Sequence, residues 1–150
     1  MVAAIIAVPM QKEHIPIVVN MLLEESVKTA LHTEKFSRKE WERAFRKNLR
    51  DHDEANFVIC RGGRLMGWLK LNGLKGEMAW ISSLAIHPAH QRQGAGRFAV
   101  LYAEEIAREK GFTQLWLHTS ADNAPARACY EKMGYTLTEE THQLTYMKEL

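Results

Sequence analysis

Hydrophobic and polar positions along this chain follow two periods. Ala3 to Val8 is a short apolar, β-branched run ended by Pro9, which predicts a first strand. From Lys12 to Ala30, residues Ile15, Val18, Val19, Leu22 and Leu23 fall at helical spacing and predict a helix. Pro16 is unfavourable inside a helix, so it marks a start nearby or a kink. Ser37 opens a second helix: Ser37 with Glu40 reads as a capping box, and Phe36 with Trp41 as a hydrophobic staple. Trp41, Phe45 and Leu49 form its apolar stripe, and the charged run Glu34 to Glu54 reads as its solvated face.

The pattern then shortens. Asn56 to Arg61 and Arg64 to Leu71 read as strands joined by Gly62-Gly63, a hairpin signal. A second turn, Asn72-Gly73 through Gly76, leads into a strand from Met78 to Ile86. Phe98 to Lys110 returns to helical spacing, with Phe98, Leu101, Tyr102 and Ile106 on one face and Gly111 as its stop. Thr113 to Thr119 predicts a strand. Asp122 or Asn123 caps a short helix with Pro125 in its first turn and Gly134 at its end. Tyr135 to Thr138 and Gln143 to Met147 close the chain as two strands. The order β-α-α-β-β-β-α-β-α-β-β is an α+β (mixed α/β sandwich) fold, a central mixed sheet with helices packed on it.

Composition narrows the classes. The 150 residues, 46% hydrophobic and 25% charged, fit one soluble globular domain over 1–150. A formal net charge of +2 argues for neither nucleic acid nor an anionic membrane as partner. No apolar run is long enough to span a bilayer, and the apolar start MVAAIIAVPM lacks a basic leader and reads as a strand rather than a signal peptide. Cys60 and Cys129 stand far apart in no ligand spacing, which fits buried thiols in a reducing cytoplasm rather than a disulfide or a metal site.

The stretch His87 to Arg97, HPAHQRQGAGR, carries the chemistry. Gly94 and Gly96 fall where a strand gives way to a helix. Such a turn leaves backbone N–H groups unpaired at the positive end of the helix dipole, so a phosphate or pyrophosphate is its natural ligand. Glycine lets the phosphate reach the backbone, and Gln91, Arg92, Gln93 and Arg97 add donors around it.

Two motifs resemble the GNAT superfamily of acetyl-CoA-dependent N-acetyltransferases. The family's glycine motif is Gln or Arg, two residues, Gly, one residue, then Gly or Ala; here it reads Gln91-Arg92-Gln93-Gly94-Ala95-Gly96. Asn123 followed by Ala126-Arg127-Ala128-Cys129-Tyr130-Glu131-Lys132-Met133-Gly134-Tyr135 is similar to the family's Asn…Ala-Arg-x-x-Tyr-Glu-x-x-Gly-Phe/Tyr. The resemblance is sharp over Met78 to Leu137 and rests on topology before that. It implies a mostly antiparallel sheet of about seven strands with four helices, and acetyl-CoA as co-substrate with no metal. It also implies that Leu84, Ala85 and Ile86 pair their backbone with the pantetheine arm, and that Arg92, Gln93, Gly94, Ala95, Gly96 and Arg97 hold the pyrophosphate. Asn123 would hydrogen-bond the pantetheine region, and Tyr130 would lie near the sulfur and protonate the leaving thiolate. The family attacks directly from a ternary complex, so no acyl-enzyme is expected and Cys129 has no part.

The physics is consistent. Asn123 and Tyr130 are seven apart and face one side of the short helix. The attacking amine must be neutral, and an amine with a pKa of roughly 10.4 needs a base or a water chain to deprotonate it. His118 at the end of its strand is the leading base; Glu77, Ser82 and a water relay are the others. His87 and His90 flank Pro88 and make a poor metal pair.

The acceptor divides between a small-molecule amine, such as a polyamine, amino acid or amino sugar, and a protein N-terminus, as in the ribosomal-protein acetyltransferases whose glycine turn this one resembles. A non-catalytic acyl-CoA-binding module is the rival of another class. Gly94 to Ala99 also fits a loose dinucleotide fingerprint, but the strand after it ends His118-Thr119-Ser120 without the acidic residue that would hold a ribose. Tyr135 to Leu150 is long enough for a homodimer contact through the C-terminal strands.

Overall fold

The sheet is built from β1 (Ile5–Pro9), β2 (Ala55–Arg61), β3 (Arg64–Asn72), β4 (Ala79–Ile86), β5 (Gln114–Thr119), β6 (Thr136–Glu140) and β7 (Leu144–Glu149). Its lateral order is β1-β2-β3-β4-β5-β7-β6. Only β4 and β5 run parallel, so the sheet is mostly antiparallel, as the family resemblance implies. A computed structural model describes residues 3–51 and 53–150. Met1 and Val2 of the apolar start and His52 of the charged run lie outside the described residues. No described helix is long and apolar enough to cross a membrane.

Five α-helices replace the four expected. They are α1 (Ile15–Leu22), α2 (Glu25–Leu31), α3 (Arg38–Asn48), α4 (Ala95–Glu109) and α5 (Ala124–Lys132). The single helix expected over Lys12 to Ala30 breaks after Leu22, because Glu24 turns extended at ψ 137 and starts α2 with its own carbonyl. The buried positions of α1 are Ile15, Val18, Val19, Met21 and Leu22, whereas α2 buries Val27 on a shifted phase. Pro16 sits harmlessly in the first turn of α1. Ser37 caps α3 by accepting from the Glu40 backbone N–H at 3.2 Å, worth about 1 kcal/mol. Phe36 and Trp41 meet at 5.2 Å between ring centroids, as a staple should. Glu54 departs from the solvated-face reading: it is half-buried and pairs with Lys70 at 3.3 Å.

Helices cover the two faces of the sheet unequally. On one face α1 to α3 enclose Val18, Val19, Leu22, Phe45, Val58, Trp68 and Ala85. On the other, α4 and α5 lie over Ile59, Leu69, Ile81, Leu115, Leu117, Leu144 and Tyr146. The inward face of α4 is not the bulky one expected. Ala95, Ala99, Ala103 and Ala107 form its buried stripe, Phe98, Tyr102 and Ile106 flank it, and Leu101 is 43% exposed. Small residues at i, i+4 spacing let the helix lie close on the sheet, so bulk was a poor guide to the inward side.

A bulge in β4 shapes the centre. Ser83 pairs with Lys70 and Ile81 with Leu71, which leaves Ser82 as an extra residue. The inserted residue resets the alternation, so Ile81 and Leu84, three apart, both face the core under α4. It also bends the strand away from its parallel neighbour: β4 pairs with β5 only over Ala79–Ile81 and Leu115–Leu117.

Glu104 of α4 is 1% exposed, yet its carboxylate accepts from Tyr135 Oη at 3.0 Å and from Lys148 Nζ at 3.1 Å. Removing Lys148 leaves the buried carboxylate with Tyr135 and, at 3.7 Å, the Arg108 guanidinium, a weaker set of partners. Lys148→Met is expected to destabilise the fold by about 2 kcal/mol, less than a fully buried pair because the lysine is partly solvated. Urea midpoints of the two proteins check this, and an unchanged midpoint would remove the clamp.

Candidate active site

The turn from β4 into α4 is built for an anion. After one 3-10 turn, Pro88–His90, the chain passes through Arg92 at φ 62 and Gly94 at φ 87, both left-handed. Alternating left-handed residues bring successive N–H groups to one side. Among the described residues, the backbone N–H groups of Arg92, Gln93, Gly94, Ala95, Gly96 and Arg97 make no hydrogen bond; the first helical bond runs from Phe98 N–H to Gly94 O at 3.0 Å. Nothing lies within 4 Å of where a Cβ on Gly94 would stand, so the turn opens onto free space. The two glutamines brace it: Gln91 Nε2 donates to Ile86 O and Gln93 Nε2 to Ala89 O, each at 3.4 Å. Arg92 and Arg97 are exposed.

One member of this turn was not expected from the sequence. Arg61, at the end of β2, reaches across 32 residues of sequence to donate from Nη1 to Gln93 Oε1 at 3.4 Å. Its Nε is buried with no partner. The signal was present in the register: Arg61 precedes the Gly62-Gly63 hairpin, and antiparallel pairing sets that end of the sheet beside Ile86. A buried guanidinium nitrogen left unsatisfied beside six free N–H groups fits a phosphate-bearing ligand.

Beyond the bulge, Leu84, Ala85 and Ile86 pair with Leu69, Trp68 and Gly67 of β3 on one side and with no strand on the other. The freed edge of β4 therefore runs from the β4–β5 junction to the glycine turn. Asn123 is the N-cap of α5, its Oδ1 accepting from Ala126 N–H at 3.3 Å. That leaves the amide nitrogen for a ligand.

Tyr130 lies on α5 among the core under α4, with ring centroids 6.0 Å from Tyr135 and 6.4 Å from Tyr146. Its hydroxyl has no hydrogen-bond partner among the described residues. Burial, with a smaller contribution from Cys129, pushes it up to about 12. Tyr135 is pushed up further, by burial and by the Glu104 carboxylate. His118 projects to the opposite face of β5 from Leu117. It is exposed, its ring stacks on Trp80 at 4.6 Å, and its Nδ1 stands 3.0 Å from Thr145 Oγ1. Tyr130 and His118 thus stand on opposite sides of the sheet, the first half-buried against the core and the second exposed, flanking the place where β4 parts from β5.

Glu77 and Ser82 are placed differently. Glu77 precedes β4, on the side of Trp80 away from the opening. Ser82 is the bulge residue, and its Oγ donates to Lys70 O at 3.3 Å. Among the described residues no group of three or more His, Cys, Asp or Glu could hold a metal. His87 keeps Nδ1 occupied by Ala89 N–H at 3.0 Å. A cavity of about 540 Å³ lined by Met10, Asn56, Ile106 and Glu109 lies at the far end of α4, roughly 16 Å along the helix from the turn, and plays no part here.

A mixed sheet opened by a bulge, with an anion-binding turn at the end of the opened strand, defines a class of protein, and comparison with known proteins gives the same class. Residues 19–135 match the Acetyltransferase (GNAT) family, so the chain belongs to that family. It is 33% identical over 91 residues to streptothricin acetyltransferase of Streptomyces lavendulae, matching 57% of this chain and 46% of that protein. It is 31% identical over 80 residues to the [ribosomal protein bS18]-alanine N-acetyltransferase of Escherichia coli, matching 53% of each. The chain thus spans about half the length of these curated relatives. The crystal structure of the PaiA N-acetyltransferase of Thermoplasma acidophilum in complex with coenzyme A shares the fold, with a TM-score of 0.79, 16% identity and coverage of 98% of this chain and 99% of that one.

The raised Tyr130 hydroxyl has a stability consequence. The folded state holds this proton up to about pH 12, whereas an unfolded tyrosine releases it near 10.0. The unfolded chain therefore binds fewer protons in that window, and stability falls as pH rises through it. Urea unfolding between pH 9 and 12 should show a shallower alkaline loss in Tyr130→Phe than in wild type. Parallel curves would mean that the hydroxyl is solvated.

Proposed function

We propose that this chain moves an acetyl group from acetyl-CoA to a primary amine, probed most directly with small-molecule amines, the amine and acetyl-CoA being bound together. The observation that carries the reading is the opened edge of β4 leading to the turn of free N–H groups at Gly94. Arg92 to Arg97 and Arg61 suit the pyrophosphate; Leu84, Ala85 and Ile86 suit the pantetheine amides; the Asn123 amide nitrogen adds a donor. Acetyl-CoA supplies the activated acetyl group as a thioester. His118 takes the proton that the amine must lose, its exposure giving that proton a route to bulk water.

Tyr130 acts differently from a simple acid. A hydroxyl near 12 facing a thiolate of ordinary pKa about 8.5 would transfer its proton uphill by roughly 5 kcal/mol. The Tyr130 hydroxyl, with no hydrogen-bond partner among the described residues, works instead as a hydrogen-bond donor that strengthens as charge gathers on sulfur.

The likeness to streptothricin acetyltransferase supports a small-molecule acceptor. The likeness to the ribosomal-protein enzyme supports a second reading, in which the amine is a protein N-terminus. Calorimetry with acetyl-CoA tests the common core. Wild type should bind it in preference to NAD, and Gly94→Glu should lose binding with its circular dichroism intact. Tyr130→Phe should keep acetyl-CoA affinity and lower kcat by about 10²-fold in a thiol-release assay. Retained binding in Gly94→Glu would overturn the reading, and full turnover in Tyr130→Phe would remove the role of Tyr130.

A further inference from the structure

One half of one face of the sheet lies outside both hydrophobic cores. Helices α1 to α3 pack over β3 and β4, while α4 and α5 occupy the opposite face. The side chains of β5, β7 and β6 on that side belong to neither core. Strand register arranges them in two rows. One runs Trp80, Trp116, Met147, Thr136; the other runs His118, Thr145, Glu139. Trp80 and Trp116 lie 5.7 Å apart between centroids, and both are half-buried. Glu139 is exposed, and in this row it stands two strands from His118, roughly 10 Å away.

The charges on this side favour one sign of ligand. Lys70, the cation on the same face of β3, is already paired with Glu54 at 3.3 Å. Asp122, just beyond β5, accepts from Ser120 Oγ at 2.6 Å, which with the nearby His32 holds its carboxyl below the usual carboxylate range. Indole faces and carboxylates both attract a cation, and an indole face is the better for an alkylammonium carried on a methylene chain.

We infer that this face of β5, β7 and β6 is the acceptor's seat and that it selects an aliphatic diamine: the reacting amine meets His118 while the second ammonium rests over Trp116 and against Glu139. This inference rests on the acetyl-transfer reading for what happens at the first amine. The recognition of the second amine stands on the two rows alone. A peptide N-terminus or a monoamine would leave the far end of the His118 row empty.

Matched probes separate the readings. 1,4-Diaminobutane and butylamine, titrated calorimetrically into protein saturated with CoA, differ by one ammonium. The diamine should bind at least tenfold more tightly. The ratio should collapse in Glu139→Gln, fall severalfold in Trp116→Leu, and survive in Glu140→Gln, whose side chain pairs in register with buried Leu144 on the other face. Raising salt should erode the ratio, because the carboxylate is solvent-exposed. Equal binding of the two amines, or a ratio untouched by Glu139→Gln, overturns the inference, as does stronger binding of an alanine-ended peptide than of the diamine. Thiol release from acetyl-CoA is read with the same amines. Tight diamine binding without thiol release would sink the transferase reading and keep the seat; thiol release with no diamine preference would do the reverse.

Discussion

One inserted residue governs this molecule. Ser82 is skipped in the register with β3, and from that point β4 bends away from β5. Had the register run straight, the pairing of β4 with β5 would continue past Ile81 to the end of β5 at Thr119, and the opening would be shorter. Buried backbone groups seldom go unpaired, so an opened edge inside a sheet demands a partner with amides of its own. The same bend delivers the end of β4 to a left-handed turn whose N–H groups also lack acceptors. Both deficits lie along one line, and a single extended ligand with amides at one end and phosphates at the other answers both.

The environments on either side of that line differ. Under α4 and α5, Tyr130 is packed among tyrosines and its hydroxyl is pushed up to about 12, so it stays a donor at any physiological pH. Across the sheet, His118 is exposed, stacked on Trp80 and braced by Thr145. One residue of alternation along β5, from Leu117 to His118, separates the packed side from the exposed one. On the proposed reading, the exposed side would let the amine shed its proton to water while the hydroxyl stands on the other side.

Much of this was legible in the sequence wherever a local rule sufficed. Ser37 as a cap, Gly62-Gly63 as a hairpin and Gly94 at a positive φ each follow from one or two adjacent residues. What was missed depends on long-range geometry. The break between α1 and α2 has no glycine or proline to announce it; it is fixed by where each helix must pack. The inward side of α4 was misjudged because close approach to the sheet favours alanine over leucine. The bulge did leave a trace: Ser82-Ser83 interrupts the alternation that Ile81 and Leu84 would otherwise break. Arg61 could be found only once register was known.

Helix α4 joins these parts, and its two ends do unlike work. Its first turn presents the free N–H groups, and the dipole of 15 residues stands behind them. Glu104, two and a half turns on, buries a carboxylate that an apolar residue would replace at less cost to solvation. What the charge adds is direction. It accepts from Tyr135 and Lys148, fixing the start of the last hairpin and the C-terminal end of β7 to the helix that carries the turn. Tyr135 is the wall against which Tyr130 lies. A leucine at 104 would fill the space but leave the hairpin free to shift along the helix, and Tyr130 would shift with it. The buried pair is thus best understood as alignment: it holds the donor on α5 in register with a turn that lies at the other end of α4.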